Sequence, residues 1–289
     1  MENNYFTDDL KANIGNITEV EYLNYKFDDY KVVTFESEKK SSAYGSEFIR
    51  GTKAFRRSEL IGVMNDSNLL FSLINLMKEP IPKGFHSPYL EEAIKTEKII
   101  QFCHKYGLPY IDKYFEENYF EGDQNKYSGF NIQAFRRQVA FLFSYFKFWE
   151  AITKKDIKNL YEYGFTSFLL KGDLDKLITP EEKLAKAKEN LAIAINANYL
   201  RTEINIFYNK DTDEFLLRPC SNSLISIAYY QLACFICTPE WARVGIREGK
   251  TNIKICKNCL EYFLGHGNSG YCDKPECDRR KVHRRNKNR

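Results

Sequence analysis

Histidine is scarce in this chain, with four in 289 residues, and none sits in a pattern that supports catalysis. His86 in GFHSPY and His104 in FCHKYG have no partner identifiable from sequence. There is no P-loop, no HExxH, no GxSxG elbow and no HNH pattern. The signatures of phosphate cradles, zinc proteases, serine hydrolases and nucleases are therefore missing, and no catalytic residues or enzyme activity are expected. A bilayer-spanning run is missing too. The longest mostly apolar stretch, Leu224 to Cys237, is too short and contains Ser226, Tyr229, Tyr230 and Gln231, so no membrane partner is expected. The opening MENNYFTDDL has neither a basic n-region nor an apolar h-region, which makes a cytoplasmic location the expectation. In that reducing compartment the eight cysteines are thiols or metal ligands rather than disulfides. No internal repeat and no Pro- or Gly/Ser-rich linker divides the chain.

What is present suits a globular protein. Apolar residues make up 43% and charged residues 28%, and 22 Phe with 20 Tyr supply a sizeable core. The length allows one large domain or two ordinary ones, with a small appendage. The net charge of +4 hides a division. Residues 279–289, RRKVHRRNKNR, carry seven Lys/Arg and no acid, while the rest holds 36 bases against 39 acids, a net −3. Such a short dense basic block is an electrostatic footprint for an acidic polymer.

Periodicity gives an α+β chain with a predominantly helical body. EVEYLNYKF and KVVTFES read as short strands within residues 19–37. From Ser58 the spacing of Leu60, Ile61, Met64, Leu69, Leu70, Leu73 and Leu76 reads as helical. Helical spacing dominates residues 89–200. It includes a helix stopped by Gly107 and Pro109, a buried central helix from Ile132 to Ile152, and a helix opened by a Thr179–Glu182 capping box. Thr202–Tyr208 and FLLRP read as a β-hairpin over 202–218, and Ser221-Asn222-Ser223 offers an N-cap for the apolar helix 224–237. The expected organisation is a body over 1–250 and a small tip over 251–289.

The tip carries the strongest signal. Cys256 and Cys259 form a C-x2-C pair, twelve residues follow, and Cys272 and Cys277 form C-x4-C. Each pair can set two thiolates on one tight knuckle, and the Gly-rich loop between them can fold the second onto the first. Four thiolates at about 2.3 Å complete the tetrahedron of a structural zinc, a closed site with no position for catalytic water. Tyr262, Phe263 and Tyr271 offer a miniature core. His266 reads as a loop residue, because four cysteines already saturate the ion. Cys234 and Cys237 lie in an apolar helical run and, with Cys103 and Cys220, read as buried hydrophobes.

The tip resembles the CGNR zinc finger, a bacterial C-terminal module with two cysteine pairs, an aromatic pair between them and a basic end. Cys277-Asp278-Arg279-Arg280 stands where that family has Cys-Gly-Asn-Arg, so Arg280 matches the signature arginine. Asp278 and Arg279 replace Gly and Asn, and the first cysteine pair is narrower than in many members. Over roughly residues 180–289, the order helix, hairpin ending in Arg-Pro, apolar helix and finger is similar to proteins that join an ABATE-type sensing domain to this finger. The resemblance implies a DNA-binding transcriptional regulator in which Arg279, Arg280, Lys281, Arg284 and Arg285 meet nucleic acid, DNA ahead of RNA. One finger gives little specificity, which calls for a homodimer or a second contact. The body is then expected to mediate assembly or sense a signal, an unidentified small-molecule effector being one candidate partner. The alternatives are a zinc-stabilised nuclease and an RNA- or protein-interaction module of phage or plasmid biology.

Overall fold

The computed structural model describes residues 19–34, 47–52, 54–62, 68–77, 87–111, 129–166, 176–177, 179–198, 203–209, 213–237, 251–266 and 269–278. In chain order these give β1 (Glu19–Phe27), β2 (Tyr30–Thr34), β3 (Glu47–Gly51), β4 (Ala54–Gly62), α1 (Asn68–Ile74), α2 (Ser87–Ala93), α3 (Thr96–Tyr106) and β5 (Gly129–Asn131). There follow α4 (Ile132–Lys154), α5 (Ile157–Thr166), α6 (Pro180–Asn198), β6 (Glu203–Asn209), β7 (Glu214–Ser221), α7 (Leu224–Cys237), β8 (Thr251–Ile255) and β9 (Tyr262–His266). The chain is thus a mixed α and β structure. No helix among the described residues is long and apolar enough to cross a membrane.

The core is built around α4. It starts where the Asn131 side chain accepts the Ala134 N–H at 2.9 Å, an N-cap. It buries Phe135, Val139, Phe143, Phe146 and Trp149 among others. Around it pack α1, α2, α5, α6 and α7. Two sheets flank this bundle. One has the order β4-β1-β7-β6, with β1 parallel to β7 and the other neighbours antiparallel. The other has the order β2-β3-β5.

Several local readings hold. Thr179 and Glu182 exchange the two reciprocal bonds of a capping box, Ser223 caps α7 through Ser226 N–H, and β6 and β7 form the expected hairpin. Gly107, at φ 89°, closes α3 by donating to Cys103 O, a left-handed role that suits glycine. Two readings are corrected. Ser58 to Gly62 is strand and not helix, because β4 pairs with β1 over nine residues and that pairing overrides the local spacing of Leu60 and Ile61. The helix expected before Gly107 is broken in two at Ile94–Lys95. The buried Arg136 guanidinium fills the break, donating to Ile94 O and Thr96 Oγ1.

Helix α1 matters because it carries the contact to the tip. Its Leu70 N–H, one of the amides left without an intrahelical acceptor, donates to Oε1 of the fully buried Gln231 on α7 at 3.0 Å. Replacing Gln231 by Leu leaves that amide unsatisfied in the core. The expected cost is about 1–3 kcal/mol, read as a lower urea midpoint at unchanged slope.

Candidate metal centre

The tip is a hairpin with a knuckle at its turn. Strands β8 and β9 pair from Thr251↔His266 to Ile255↔Tyr262, and the intervening residues hold Cys256 and Cys259. His266 is therefore the last residue of a strand and not part of a loop. The turn is closed by Cys256 N–H donating to Glu261 O at 2.8 Å and Leu260 N–H donating to Cys256 O at 2.9 Å. Closure puts Leu260 at φ 60°, a left-handed conformation disfavoured for any side chain with a Cβ. Lys257 N–H donates to Gly270 O at 2.9 Å, which brings the second half of the tip over the first. There Pro275–Cys277 forms a single 3₁₀ turn.

The Asn258 amide bridges the two knuckles, donating to Glu276 O at 3.1 Å and to Cys277 Sγ at 3.4 Å. Lys274 and Glu261 add an ion pair at 2.6 Å across the same gap. The result is that the Sγ atoms of Cys256, Cys259, Cys272 and Cys277 all lie within 4.8 Å of one another. Four sulfurs bound tetrahedrally at 2.3 Å have edges of roughly 3.8 Å, and Cys259 Sγ to Cys272 Sγ is 3.7 Å. The four expected ligands therefore converge into one cluster that suits a metal ion. Cys256 and Cys277 are fully buried. Among the described residues no other group of three or more Cys, His, Asp or Glu could hold a metal ion.

Charge explains why this set calls for a cation. Burial raises Cys256, but N–H groups of Cys259, Cys272 and Asn258 outweigh it and bring the thiol down to about 6. Burial and the neighbouring thiols push Cys259 up to about 11 and push Cys272 up as well. Without a metal the cluster accepts one negative charge readily and resists the next. The remaining cysteines lie elsewhere. Cys103 and Cys220 are buried as expected, Cys234 is half-buried, and Cys237 is exposed, contrary to the reading of all four as core. Burial raises Cys234 to about 11, which makes it a poor metal ligand or nucleophile.

Sequence reasoning missed how the tip is seated. Tyr262 does not join a miniature core. Its backbone N–H donates to Asn75 Oδ1 at 2.8 Å and its carbonyl accepts from Asn75 Nδ2 at 2.9 Å, so the amide at the end of α1 mimics a strand neighbour. Its ring packs edge-on to Phe146 of α4 at 4.9 Å. Its hydroxyl accepts from Lys147 Nζ at 2.8 Å and lies 3.2 Å from Glu150 Oε2. Nothing in the spacing of Asn75 or Lys147 signals these partners, which lie 187 and 115 residues away. The basic positions Arg279, Arg280, Lys281, Arg284 and Arg285 lie outside the described residues.

Fold and site together define a mixed α and β protein with a hairpin-borne cluster of four cysteines that suits a metal ion. No family model matches the chain, and no curated protein or solved structure matches it.

Two outcomes follow. Metal binding at pH 7 must displace protons from Cys259 and Cys272, whereas Cys256, at about 6, is already mostly ionised. Affinity therefore falls with falling pH, by about a hundredfold or more per unit, and more steeply below about 6 as Cys256 also protonates. Calorimetric titration of metal-depleted protein with Cd²⁺, in buffers of different ionisation heat, reads at least two protons released per ion. Leu260 is 70% exposed, so Leu260→Gly relieves its backbone while losing little packing. It should tighten metal binding by about two- to fivefold, equivalent to about 0.5–1 kcal/mol, in a chelator competition.

Proposed function

We propose that this chain is a bacterial DNA-binding transcriptional regulator whose C-terminal finger holds one structural zinc. The observation that carries the reading is the convergence of four cysteines immediately before the basic run at 279–289. A closed four-thiolate set in a reducing compartment favours zinc. A four-cysteine cluster alone does not separate a CGNR finger from other closed fingers, so the family reading rests on the match at Cys277 to Arg280. The metal knuckle fixes one end of the basic segment, because Cys277 is buried two positions before Arg279. Arg279, Arg280, Lys281, Arg284 and Arg285 then meet phosphates, and Arg280 or Arg284 reads a base edge. The rest of the chain, at a net −3, repels phosphate and leaves affinity to the tip.

Metal analysis of the purified protein should give one zinc per chain, and a stoichiometry near zero would remove the metal from the reading. If about five bases contact phosphates, log K for duplex DNA falls against log salt with a slope of about −4 to −5. Replacing Arg280 and Arg284 together flattens that slope by about two. Deleting 279–289 with Cys277 retained abolishes most binding and leaves zinc in place. Undiminished binding by the truncated chain at the same salt would defeat the proposal. Preference for RNA would move the reading to an RNA-interaction module, and cleavage would move it to a nuclease.

A further inference from the structure

A cleft of about 540 Å³ opens where the C-terminal ends of α4 and α7 meet α6. That volume lies inside the roughly 300–1,000 Å³ typical of small-molecule sites. Trp149, Ile152, Leu191 and Ile236 give it apolar walls, and Lys155 and Lys188 line it as well. No acid lines it. The acids adjacent in sequence are engaged elsewhere: Glu150 with Lys147 and Lys154, Glu189 with Lys186, and Asp156 with Asn159. Among the described residues neither Lys155 nor Lys188 forms an ion pair. Lys155 also occupies the left-handed C-cap of α4, at φ 55°, a position where glycine carries no strain. Among the described residues the cleft thus presents apolar walls and two lysine side chains with no carboxylate partner.

We infer that this cleft binds an amphipathic monocarboxylate, with its hydrocarbon against Trp149 and Leu191 and its carboxylate at Lys155 and Lys188. The sign follows from magnitude. Two helix C-termini contribute roughly −0.5 charge each, less than the two lysines supply. A phosphate is a poorer fit, since the cleft offers helix C-termini where phosphate sites offer N-terminal amides, and among the described residues no arginine fork lines it. The cleft shares no residue with the metal centre and the test uses no nucleic acid, so the two readings fail independently.

The test uses the full-length protein as purified and dodecanoate below its micellar concentration. Cys237 lines the cleft and is exposed, which makes its alkylation by N-ethylmaleimide, followed by peptide mass spectrometry, a local reporter. Dodecanoate at ten times its Kd should slow that alkylation by about tenfold. Affinity should drop roughly tenfold for every two methylenes removed. Dodecanol should bind about tenfold more weakly than dodecanoate. The Lys155→Gln/Lys188→Gln variant, altered only at exposed positions, should erase the preference for acid over alcohol while keeping the alcohol's affinity. Ala192→Trp, at an exposed lining position, should abolish both. Failure to saturate, equal binding of acid and alcohol, or a preference that survives in the lysine variant would overturn the inference. So would a doubled mass with Cys237 protected in the absence of probe, which would assign the cleft to a second copy of the chain.

Discussion

Four sulfur atoms within 4.8 Å of one another are the constraint from which the C-terminal tip follows. Like charges at that distance repel, and burial with the hydrogen bonds among thiols and backbone amides sets Cys256 low and Cys259 and Cys272 high. A cation converts the repulsion into four bonds. Among the described residues the tip has no apolar core of its own. Its half-buried apolar side chains Ile253, Tyr262 and Leu264 pack onto the core of the body and not onto a centre of their own. The hairpin turn, the 3₁₀ turn at Pro275 and the Asn258 amide are the means by which the backbone brings the sulfurs together. A segment this small needs such a staple.

Tyr262 makes the metal centre part of the larger fold. It lies three residues after Cys259, and both its backbone groups are taken by Asn75. Burial and the Glu150 carboxylate raise its hydroxyl, so it remains a neutral phenol at ordinary pH. Glu150 itself is held charged despite burial by Lys147 and Lys154. A neutral hydroxyl between a half-buried base and a half-buried acid satisfies both without adding a charge. The half-buried Lys147–Glu150 pair, at 2.5 Å, is thereby given the further hydrogen bond that such a pair needs to offset its desolvation.

The parts legible in the sequence were those fixed by local chemistry. Thr179 and Glu182 are three residues apart and settle their own cap, Asn209 to Glu214 announce a hairpin, and two cysteine pairs with knuckle spacing announce a metal. The parts that were not legible are held by distant partners. Nothing near Ser58 signals that Glu19–Phe27 will pair with it, and the helical spacing of Leu60 and Ile61 misleads until that strand is present. Residues 94–95 look helical because the break is stabilised by Arg136, some 40 residues on. Cys237 looked like core from its apolar run, yet it occupies the last turn of α7, where that helix reaches the surface beside the cleft. The basic tail illustrates a different limit: composition gives its charge but not its shape.

Helix α4 is the element on which the separate parts of the molecule meet. Within its last three turns, Phe146, Lys147 and Glu150 face Tyr262 and the metal hairpin, while Trp149, Ile152 and Thr153 line the cleft. At 100° per residue these are neighbouring stripes of one rod, and Trp149 is covalently next to Glu150. A shift of this segment that widened the cleft would move the partners of the Tyr262 hydroxyl and ring. Contiguity supplies only a route. A ligand that bound both arrangements of α4 equally would change nothing at the tip, however tightly it bound. Coupling requires that the cleft close on its ligand in one arrangement and not in the other. Trp149 is the residue through which this would act, because its ring packs on Phe146 at 5.8 Å and Phe146 packs on Tyr262. The Trp149–Phe146 and Phe146–Tyr262 ring contacts thus join the cleft wall to the hairpin side chain by side chain.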